Sequence, residues 1–246
     1  MNDFIDPNKL TIGTFLGMGS VMAAEIAAVA GADWVLLDLE HGGVGEDLIG
    51  PTVVAGMAYK IPTLVRVESG ERIRIGRALD AGVSGVMVPR IENVAQVHEV
   101  IKHMSYPPMG DRGVATYNRS AKWGRDLSAL GKKSQAACII QIETLTALES
   151  VDEIAEIQGV DLLFVGPLDL SFALGVPRDF KSPKFLAATG KVVAAAQANN
   201  KVAGILAADA SAAEIFIEQG FRFIAIGSDS TLLAGAITST MNQLKK

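Results

Sequence analysis

Short apolar segments alternate along the chain with longer segments that have helical periodicity. Each short segment is rich in β-branched and aliphatic residues, and a Gly- and Ala-rich stretch with helical spacing follows it. The short segments are Thr11–Leu16, Trp34–Leu39, Thr63–Val67, Gly85–Val88, Cys138–Ile142, Leu162–Val165, Ala203–Leu206 and Phe221–Ile226. This composition is typical of parallel strands that are covered by helices. Eight such units predict an α/β fold, a closed (β/α)8 barrel, also called a TIM barrel.

Polar caps mark where helices begin. Ser20 precedes a predicted helix that carries Ile26 and Val29 on one face, and Asn93 heads the helix after the fourth strand. His98 and His103 fall in that second helical stretch, where we expect them to be solvated.

Two stretches between predicted strands, 104–137 and 166–202, are too long for a single helix. The first contains Tyr106 to Gly113, whose prolines and glycines exclude a helix. Loops of this length in a compact domain usually carry function or assembly contacts.

The composition fits one barrel domain over residues 1–246 and excludes several kinds of partner. The formal net charge is −5 and the basic residues form no runs, so we expect no nucleic-acid partner. No apolar segment is long enough to span a membrane, and the N-terminus has no leader pattern. Since Cys138 is the single cysteine, an intrachain disulfide is excluded, and we expect a cytoplasmic protein with no membrane partner.

Charged groups follow the second and third predicted strands. Strand two ends in Asp38, Glu40 and His41 before two glycines, and strand three ends at Arg66. The C-terminal ends of the strands form the active face of such barrels. A histidine three residues after a carboxylate is a candidate acid/base, although Arg66 also fits a structural ion pair.

Strands five and six end in carboxylates. Gln141 and Glu143 point to the same side of strand five, and strand six is followed by Gly166, Pro167 and Asp169. Two carboxylates on adjacent strands favour a hard cation such as Mg2+ or Mn2+ over tetrahedral zinc. Each has another interpretation, since Glu143 could complement a helix N-terminus and Asp169 could be an N-cap.

No lysine falls at the C-terminal end of a predicted strand. Lys60 and Lys201 lie before strands three and seven, at the opposite end of the barrel. Schiff-base chemistry needs a lysine on the active face, so a metal-stabilised enolate is the better hypothesis.

Six separated motifs cover nearly the whole chain, from about Leu10 to Leu233. They are Gly31–Trp34 continuing through Asp38–His41, Val65-Arg66, Val88-Pro89, the Tyr-Pro-Pro-x-Gly-x-Arg-Gly loop at 106–113, Gln141–Thr144 and Gly166–Ser171. In this order they resemble the HpcH/HpaI family of metal-dependent, pyruvate-specific class II aldolases. The resemblance implies a lyase that cleaves a 4-hydroxy-2-keto acid to pyruvate and an aldehyde through a metal-stabilised pyruvate enolate.

The resemblance also implies a catalytic role for each matching position. Glu143 and Asp169 would bind the divalent metal, which would be Mg2+, Mn2+ or Co2+. His41, oriented by Asp38, would move protons through a water molecule. Arg66 would bind the keto oxygen and stabilise the enolate.

Substrate contacts and assembly follow from the same resemblance. Gln141 and the backbone around Gly166 and Leu168 would hold the carboxylate of the keto acid. Phe15 stands where relatives often carry Trp and would shape the aldehyde side of the pocket. In such relatives the last helix packs on a neighbouring barrel, which implies a homo-hexamer built as a trimer of dimers.

Three other functions remain open on the residues alone. A phosphosugar isomerase would bind phosphate at Gly227–Thr231, but strand seven lacks the matching glycine loop and Asp209 would repel phosphate. A related lyase acting on acyl-CoA, or an oxaloacetate decarboxylase, would share the metal and the enolate. A non-catalytic barrel would bind a keto acid for sensing or assembly.

Overall fold

The computed structural model describes residues 4–128, 130 and 135–245. Eight parallel strands form a closed barrel in sequence order, with β8 paired to β1. The strands are β1 Thr11–Leu16, β2 Trp34–Asp38, β3 Thr63–Arg66, β4 Gly85–Val88, β5 Ala137–Ile142, β6 Leu162–Val165, β7 Val202–Ala207 and β8 Phe223–Ser228. The predicted (β/α)8 fold is confirmed.

Ten α-helices surround this barrel in the described part of the chain. They are α1 Val21–Val29, α2 Ile49–Tyr59, α3 Arg72–Asp80, α4 Val94–Met104, α5 Leu145–Glu149, α6 Val151–Glu156, α7 Pro167–Ala173, α8 Pro183–Ala198, α9 Ala210–Gln219 and α10 Asp229–Leu244. Asn93 caps α4 as predicted, because its side chain accepts the N–H of Gln96 at 3.0 Å. None of the helices described is long and apolar enough to cross a bilayer.

Two local predictions differ from the structure. The last strand begins two residues later than predicted, because Gly220 ends α9 in a left-handed conformation (φ 112°) and Phe221 packs on Phe216 at a ring distance of 5.9 Å. In α1, Ser20 makes no side-chain cap, and Ile26 and Val29 are exposed. Their apolar face therefore points away from the barrel.

A buried arginine anchors the described start of the first long stretch between strands. Arg112 donates to Asp80 at 2.8 Å, and its guanidinium lies 4.5 Å from the ring centroid of Tyr106. The second long stretch contains α7 and α8, and α8 packs on β6 and β7.

Aromatic side chains fill the inside of the barrel. The rings of Trp34 and Phe223 stack at 4.1 Å between centroids. Gly13 on β1 makes the space, since a Cβ there would lie 2.2 Å from the Trp34 ring. The interior is thus a packed core rather than a channel.

The inward-facing side chains of each strand form a row that runs from this core to the barrel mouth. Alternate residues of a strand point to one side, so the row through Leu36 continues to Asp38 and the row through Leu64 continues to Arg66. On β5 the row reaches Gln141, the last inward-facing residue within the strand. Strand periodicity alone therefore converts an apolar interior into a polar mouth at one end.

Candidate active site

A cavity of about 500 Å³ opens at the C-terminal ends of the strands. Its lining includes eight of the nine predicted site residues: Phe15, Asp38, His41, Arg66, Gln141, Gly166, Leu168 and Asp169. The ninth, Glu143, is buried beside Gln141. A larger cavity of about 660 Å³ lies at the opposite end of the barrel near Lys60 and Ser84, away from these groups.

Arg66 is the centre of a buried ion cluster. Its Nε donates to Asp38 Oδ1 at 2.8 Å and its Nη2 donates to Oδ2 at 2.7 Å, which fixes the plane of the guanidinium. Nη1 lies 3.0 Å from Glu40 Oε2, and the Phe15 ring centroid is 5.2 Å from the guanidinium carbon. Because Nη1 and Nη2 each carry two N–H groups, the cluster leaves donors that can turn to a substrate.

Asp38 does not orient the His41 ring, contrary to the role inferred from the family. Its two oxygens are taken by Arg66 and by the backbone N–H groups of Glu40 and His41, at 3.1 and 3.4 Å. The carboxylate nearest the ring is Glu40, whose Oε2 lies 3.9 Å from His41 Nε2. That separation is too long for a hydrogen bond, and the His41 side chain is 67% exposed at the cavity edge.

Glu143 continues the inward-facing row of β5. Its Oε1 accepts the backbone N–H of Arg90 at 2.7 Å, and its Oε2 accepts the side-chain amide of Gln141. The cap of α5 is Thr144, whose hydroxyl accepts the N–H of Ala147 at 3.1 Å. Glu143 is therefore not needed to complement that helix, and its carboxylate belongs to the cavity region.

Asp169 lies in the first turn of α7. The helix begins at Pro167 with Gly166 as its N-cap, so the interpretation of Asp169 as an N-cap is wrong. The half-exposed Asp169 side chain lines the cavity, and its Oδ1 lies 3.9 Å from Nη1 of Arg90. Its charge is one of the causes that raise the pKa of Glu143, so the two carboxylates lie within electrostatic reach.

Gly166 allows β6 to end close against these side chains. A Cβ at this position would lie 2.5 Å from Glu143 Oε2 and 2.7 Å from Gln141 Nε2. The backbone angles of Gly166, φ −83° and ψ 91°, are open to other residues. Close contact rather than conformational freedom therefore explains the glycine.

The carboxylates of the site have different electrostatic environments. Burial alone would raise the pKa of Asp38, but the hydrogen bonds and charge of Arg66 outweigh it and hold that pKa below its ordinary value. Burial raises the pKa of Glu40, and Arg66 offsets this only in part. Burial likewise raises the pKa of Glu143, assisted by the charges of Glu40 and Asp169. Arg66 is the one arginine buried among these four carboxylates in the described structure, so negative charge is in excess.

This donor set fits a hard divalent cation. Glu143 and Asp169 supply carboxylate oxygens, and Gln141 Oε1 is buried without a hydrogen-bond partner in the described structure, as suits a group that faces a bound water or ligand. Within the described residues, no three His, Cys, Asp or Glu side chains are grouped to hold a metal by themselves. Mg2+ and Mn2+ accept one or two carboxylates when waters and substrate complete the shell.

Sequence reasoning assigned no role to two residues beside the cavity, and outside the site its expectation for one histidine was wrong. Glu40 was named at the end of strand two without a role, although it continues the β2 row of Asp38 by one further alternation. Arg90 gave no signal: it reaches Glu143 through a left-handed backbone conformation (φ 56°) that a sequence does not reveal for arginine. His103, expected to be solvated, is largely buried against Asp111 at 2.8 Å.

The fold and the site together define a barrel enzyme whose mouth combines a buried arginine, an exposed histidine and carboxylates suited to a divalent cation. The chain belongs to the HpcH/HpaI aldolase/citrate lyase family, whose model matches residues 11–236. The chain is thus a member of a family of carbon–carbon lyases, as the motifs predicted.

Individual relatives agree with this assignment. The chain is 36% identical over 236 residues to a 2-keto-3-deoxy-L-rhamnonate aldolase of Klebsiella pneumoniae, covering 95% of this chain and 88% of the relative. It is 34% identical over 227 residues to a 4-hydroxy-2-oxo-heptane-1,7-dioate aldolase of Escherichia coli, covering 92% and 87%. A crystal structure of a family protein from Burkholderia cenocepacia superposes with a TM-score of 0.91 at 33% identity, covering 97% of this chain and 95% of the other.

Proposed function

We propose that this protein reversibly cleaves a 4-hydroxy-2-keto acid to pyruvate and an aldehyde. The family and the two aldolase relatives support this reaction class. The observation that carries the proposal is the juxtaposition of Arg66, His41 and the carboxylates of Glu143 and Asp169 around one cavity. The relatives favour this reaction over a phosphosugar isomerase.

Glu143 and Asp169 would hold the divalent cation, for which we propose Mg2+, Mn2+ or Co2+. When bound, such an ion would act as a Lewis acid that lowers the cost of negative charge on the keto oxygen of the substrate. The side-chain amide of Gln141 donates to Glu143, and the backbone of Gly166 lies close against both side chains.

Arg66 would bind the keto oxygen of the substrate. Its guanidinium cannot lose its proton in this setting, because Asp38 and Glu40 outweigh the effect of burial and raise its pKa. The two-pronged contact with Asp38 holds it in place before substrate arrives. A fixed cation beside a developing negative charge needs little reorganisation during the reaction.

His41 would move the proton that the reaction requires. In cleavage it would take the proton of the 4-hydroxyl group through a water, the bond between carbons 3 and 4 would break, and the electron pair would form the enolate of pyruvate. Returning the proton to carbon 3 then gives the pyruvate methyl group. Such acid–base assistance contributes roughly 10²–10⁴-fold, and exposure of the ring at the cavity edge supports access to water.

Chelation tests the role of the carboxylates. We expect treatment with EDTA to abolish pyruvate release from a 4-hydroxy-2-keto acid, and Mg2+, Mn2+ or Co2+ to restore it. Direct titration of the metal-free protein with Mn2+ should show one site per chain that is lost in Glu143→Ala. Full activity in chelator would remove the metal from the mechanism.

Deuterium exchange tests the role of Arg66 without any aldehyde. We expect the wild-type protein to exchange the methyl protons of pyruvate in deuterium oxide and Arg66→Ala to fail. Arg77→Ala is a matched control, since Arg77 is an exposed arginine that pairs with Glu46 outside the cavity. Normal exchange in Arg66→Ala would exclude this arginine from enolate formation.

The last helix supports an assembly proposal. None of the described residues of α10 is buried, although Leu233, Ile237 and Met241 form a stripe at helical spacing. Ile26 and Val29 of α1 are exposed as well. Exposed apolar surface of this extent marks interaction sites. We therefore propose that the chain is a single barrel whose α10 packs on a neighbouring copy in a cytoplasmic homo-hexamer, a trimer of dimers.

Light scattering would test the assembly. The wild-type protein should have the mass of six chains, and Ile237→Glu should form smaller species. Ser239→Glu places the same charge elsewhere on α10 and should keep the mass of the wild type. A monomeric wild-type protein would contradict the proposal.

A further inference from the structure

The side of the cavity formed by the end of β8, called the β8 wall below, differs from the side that carries Glu143 and Asp169. Ser228, Ser230 and Thr231, at the start of α10, line the cavity three strands around the barrel from β5. Leu168 and Leu206 line it as well. A substrate whose keto acid end lies near Glu143 would direct its aldehyde-derived end toward these hydroxyl and aliphatic groups.

The start of α10 does not act as an anion site. The Asp229 carboxylate occupies it, with Oδ1 accepting the N–H of Gly17 at 3.0 Å and of Ser230 at 2.8 Å. The N–H of Ser228 donates to Thr231 Oγ1 at 2.8 Å, and the N–H of Thr231 donates to Ser228 Oγ at 3.3 Å. The positive end of the helix is therefore already matched by an internal carboxylate and internal acceptors.

Fixed cations are scarce on this cavity. Arg66 is the only lysine or arginine among the described residues that line it, and Asp38 and Glu40 already pair with it. Arg90 lies at the mouth beside Asp169, outside the lining. A terminal carboxylate or phosphate on the aldehyde would thus lose its hydration without gaining a matching charge.

We infer that the β8 wall selects a short, uncharged hydroxyaldehyde over aldehydes that end in a carboxylate or phosphate. Ser228 Oγ caps α10 and contacts Ser230 Oγ at 3.0 Å, so the hydroxyl of Ser230, which has one donor and two acceptor positions, keeps capacity for a hydrogen bond to a substrate hydroxyl. Leu168 and Leu206 accommodate a short alkyl end. This inference rests on the proposed aldolase function and narrows its acceptor. The two aldolase relatives differ in this same respect, since one is named for a deoxy sugar acid and the other for a dioate.

Matched aldehydes test the selection in the synthesis direction with pyruvate. We expect kcat/KM for glyceraldehyde to exceed that for glyceraldehyde 3-phosphate by at least about tenfold, and 4-hydroxybutyraldehyde to exceed succinic semialdehyde by a similar factor. Lactaldehyde should exceed propionaldehyde by about three- to tenfold, as expected for one hydrogen bond. A preference for either charged aldehyde over its uncharged partner would overturn the inference.

A single added cation should change the selection. In Ser230→Lys we expect the ratio of kcat/KM for succinic semialdehyde to that for 4-hydroxybutyraldehyde to rise at least about tenfold above its wild-type value. Ser211→Lys is the matched control, because Ser211 is exposed at the same position of helix α9 and does not line the cavity. An equal change in both variants would overturn the assignment of the β8 wall.

Exchange of the methyl protons of pyruvate distinguishes a failure of the acceptor inference from a failure of the proposed aldolase function. Exchange of the methyl protons of pyruvate by the wild-type protein, combined with a preference for charged aldehydes, would overturn the acceptor inference alone. Absence of exchange would overturn the aldolase function and the acceptor inference with it.

Discussion

Replacing Gly166 by alanine should disable the site while leaving the barrel folded. The added Cβ would lie 2.5 Å from Glu143 Oε2, 2.7 Å from Gln141 Nε2 and 3.0 Å from Glu143 Cβ. Ordinary contacts are about 3.5 to 4 Å, so the carboxylate and the amide must each move by roughly an ångström. A displacement of that size in a catalytic group can cost about 10²-fold in rate, which corresponds to about 2.7 kcal/mol.

The effect on stability should be smaller than the effect on rate. The backbone angles of Gly166 suit alanine, so the substitution introduces no conformational strain. Alanine also restricts the unfolded chain, which favours folding by about 0.4–1 kcal/mol, although it is a poorer N-cap than glycine for α7. We expect these contributions to leave the melting temperature within a few degrees of the wild-type value.

The assay couples pyruvate release to lactate dehydrogenase, with calorimetric titration of Mn2+ in parallel. Gly166→Ala should lower kcat/KM about 10²-fold and weaken metal binding. Gly76→Ala is the control, since Gly76 lies in α3 with no atom within 4 Å of its added Cβ, and it should gain about 0.5–1 kcal/mol of stability with unchanged kinetics. Wild-type kcat/KM in Gly166→Ala would refute the close packing on which the proposed metal site depends.

Three further substitutions test the ion cluster. Asp38→Asn should lower the free energy of unfolding by up to about 3 kcal/mol in urea at pH 7. Because the folded-state pKa of Asp38 is lowered, this loss is complete above the ordinary pKa and must shrink as pH falls through the folded-state pKa. A loss that does not depend on pH would contradict the ion pair. Arg66→Lys keeps the charge but not the two-pronged geometry, and pyruvate deuterium exchange should fall at least about 10²-fold, whereas near-normal exchange would show that charge alone suffices. Glu40→Gln should lower kcat about 10-fold with little change in KM. Burial raises the pKa of Glu40, so the wild-type rate should approach that of the variant as pH falls through this pKa. A constant ratio of the two rates would exclude the charge of Glu40 from the reaction.

The barrel and most of the site residues follow from strand periodicity. An alternation of two places Leu36 and Asp38 on one side of β2, with Glu40 next in the same row beyond the strand, and the C-terminal ends of parallel strands meet at one mouth. This rule is local and depends little on packing, so it placed Asp38, Arg66 and Gln141 at the mouth without any structure. The resemblance to the family, rather than periodicity, supplied Phe15 and Leu168. Periodicity does not reveal where a strand begins, and the predicted start of the last strand was therefore less accurate, because the turn at Gly220 displaces it.

Pairing between side chains was harder to predict. Asp38 and Glu40 lie near His41 by sequence spacing and near Arg66 by the pairing of β2 with β3. Only the direction of the guanidinium decides that Arg66 takes both oxygens of Asp38. The contribution of Arg90 depends on a backbone torsion that its residue type disfavours. Periodicity therefore predicts which groups share the mouth, whereas the choice of partners depends on three-dimensional packing.

The excess of negative charge at the mouth has a cost that points to its role. Buried carboxylates destabilise a fold unless a cation or hydrogen-bond donors compensate them, and Arg66 compensates Asp38 more fully than it compensates Glu40 or Glu143. A core designed only for stability would place apolar residues at these positions. Under the proposed function the uncompensated charge would instead bind a divalent cation, so we expect Mn2+ or Mg2+ to raise the melting temperature of the wild-type protein more than that of Glu143→Ala.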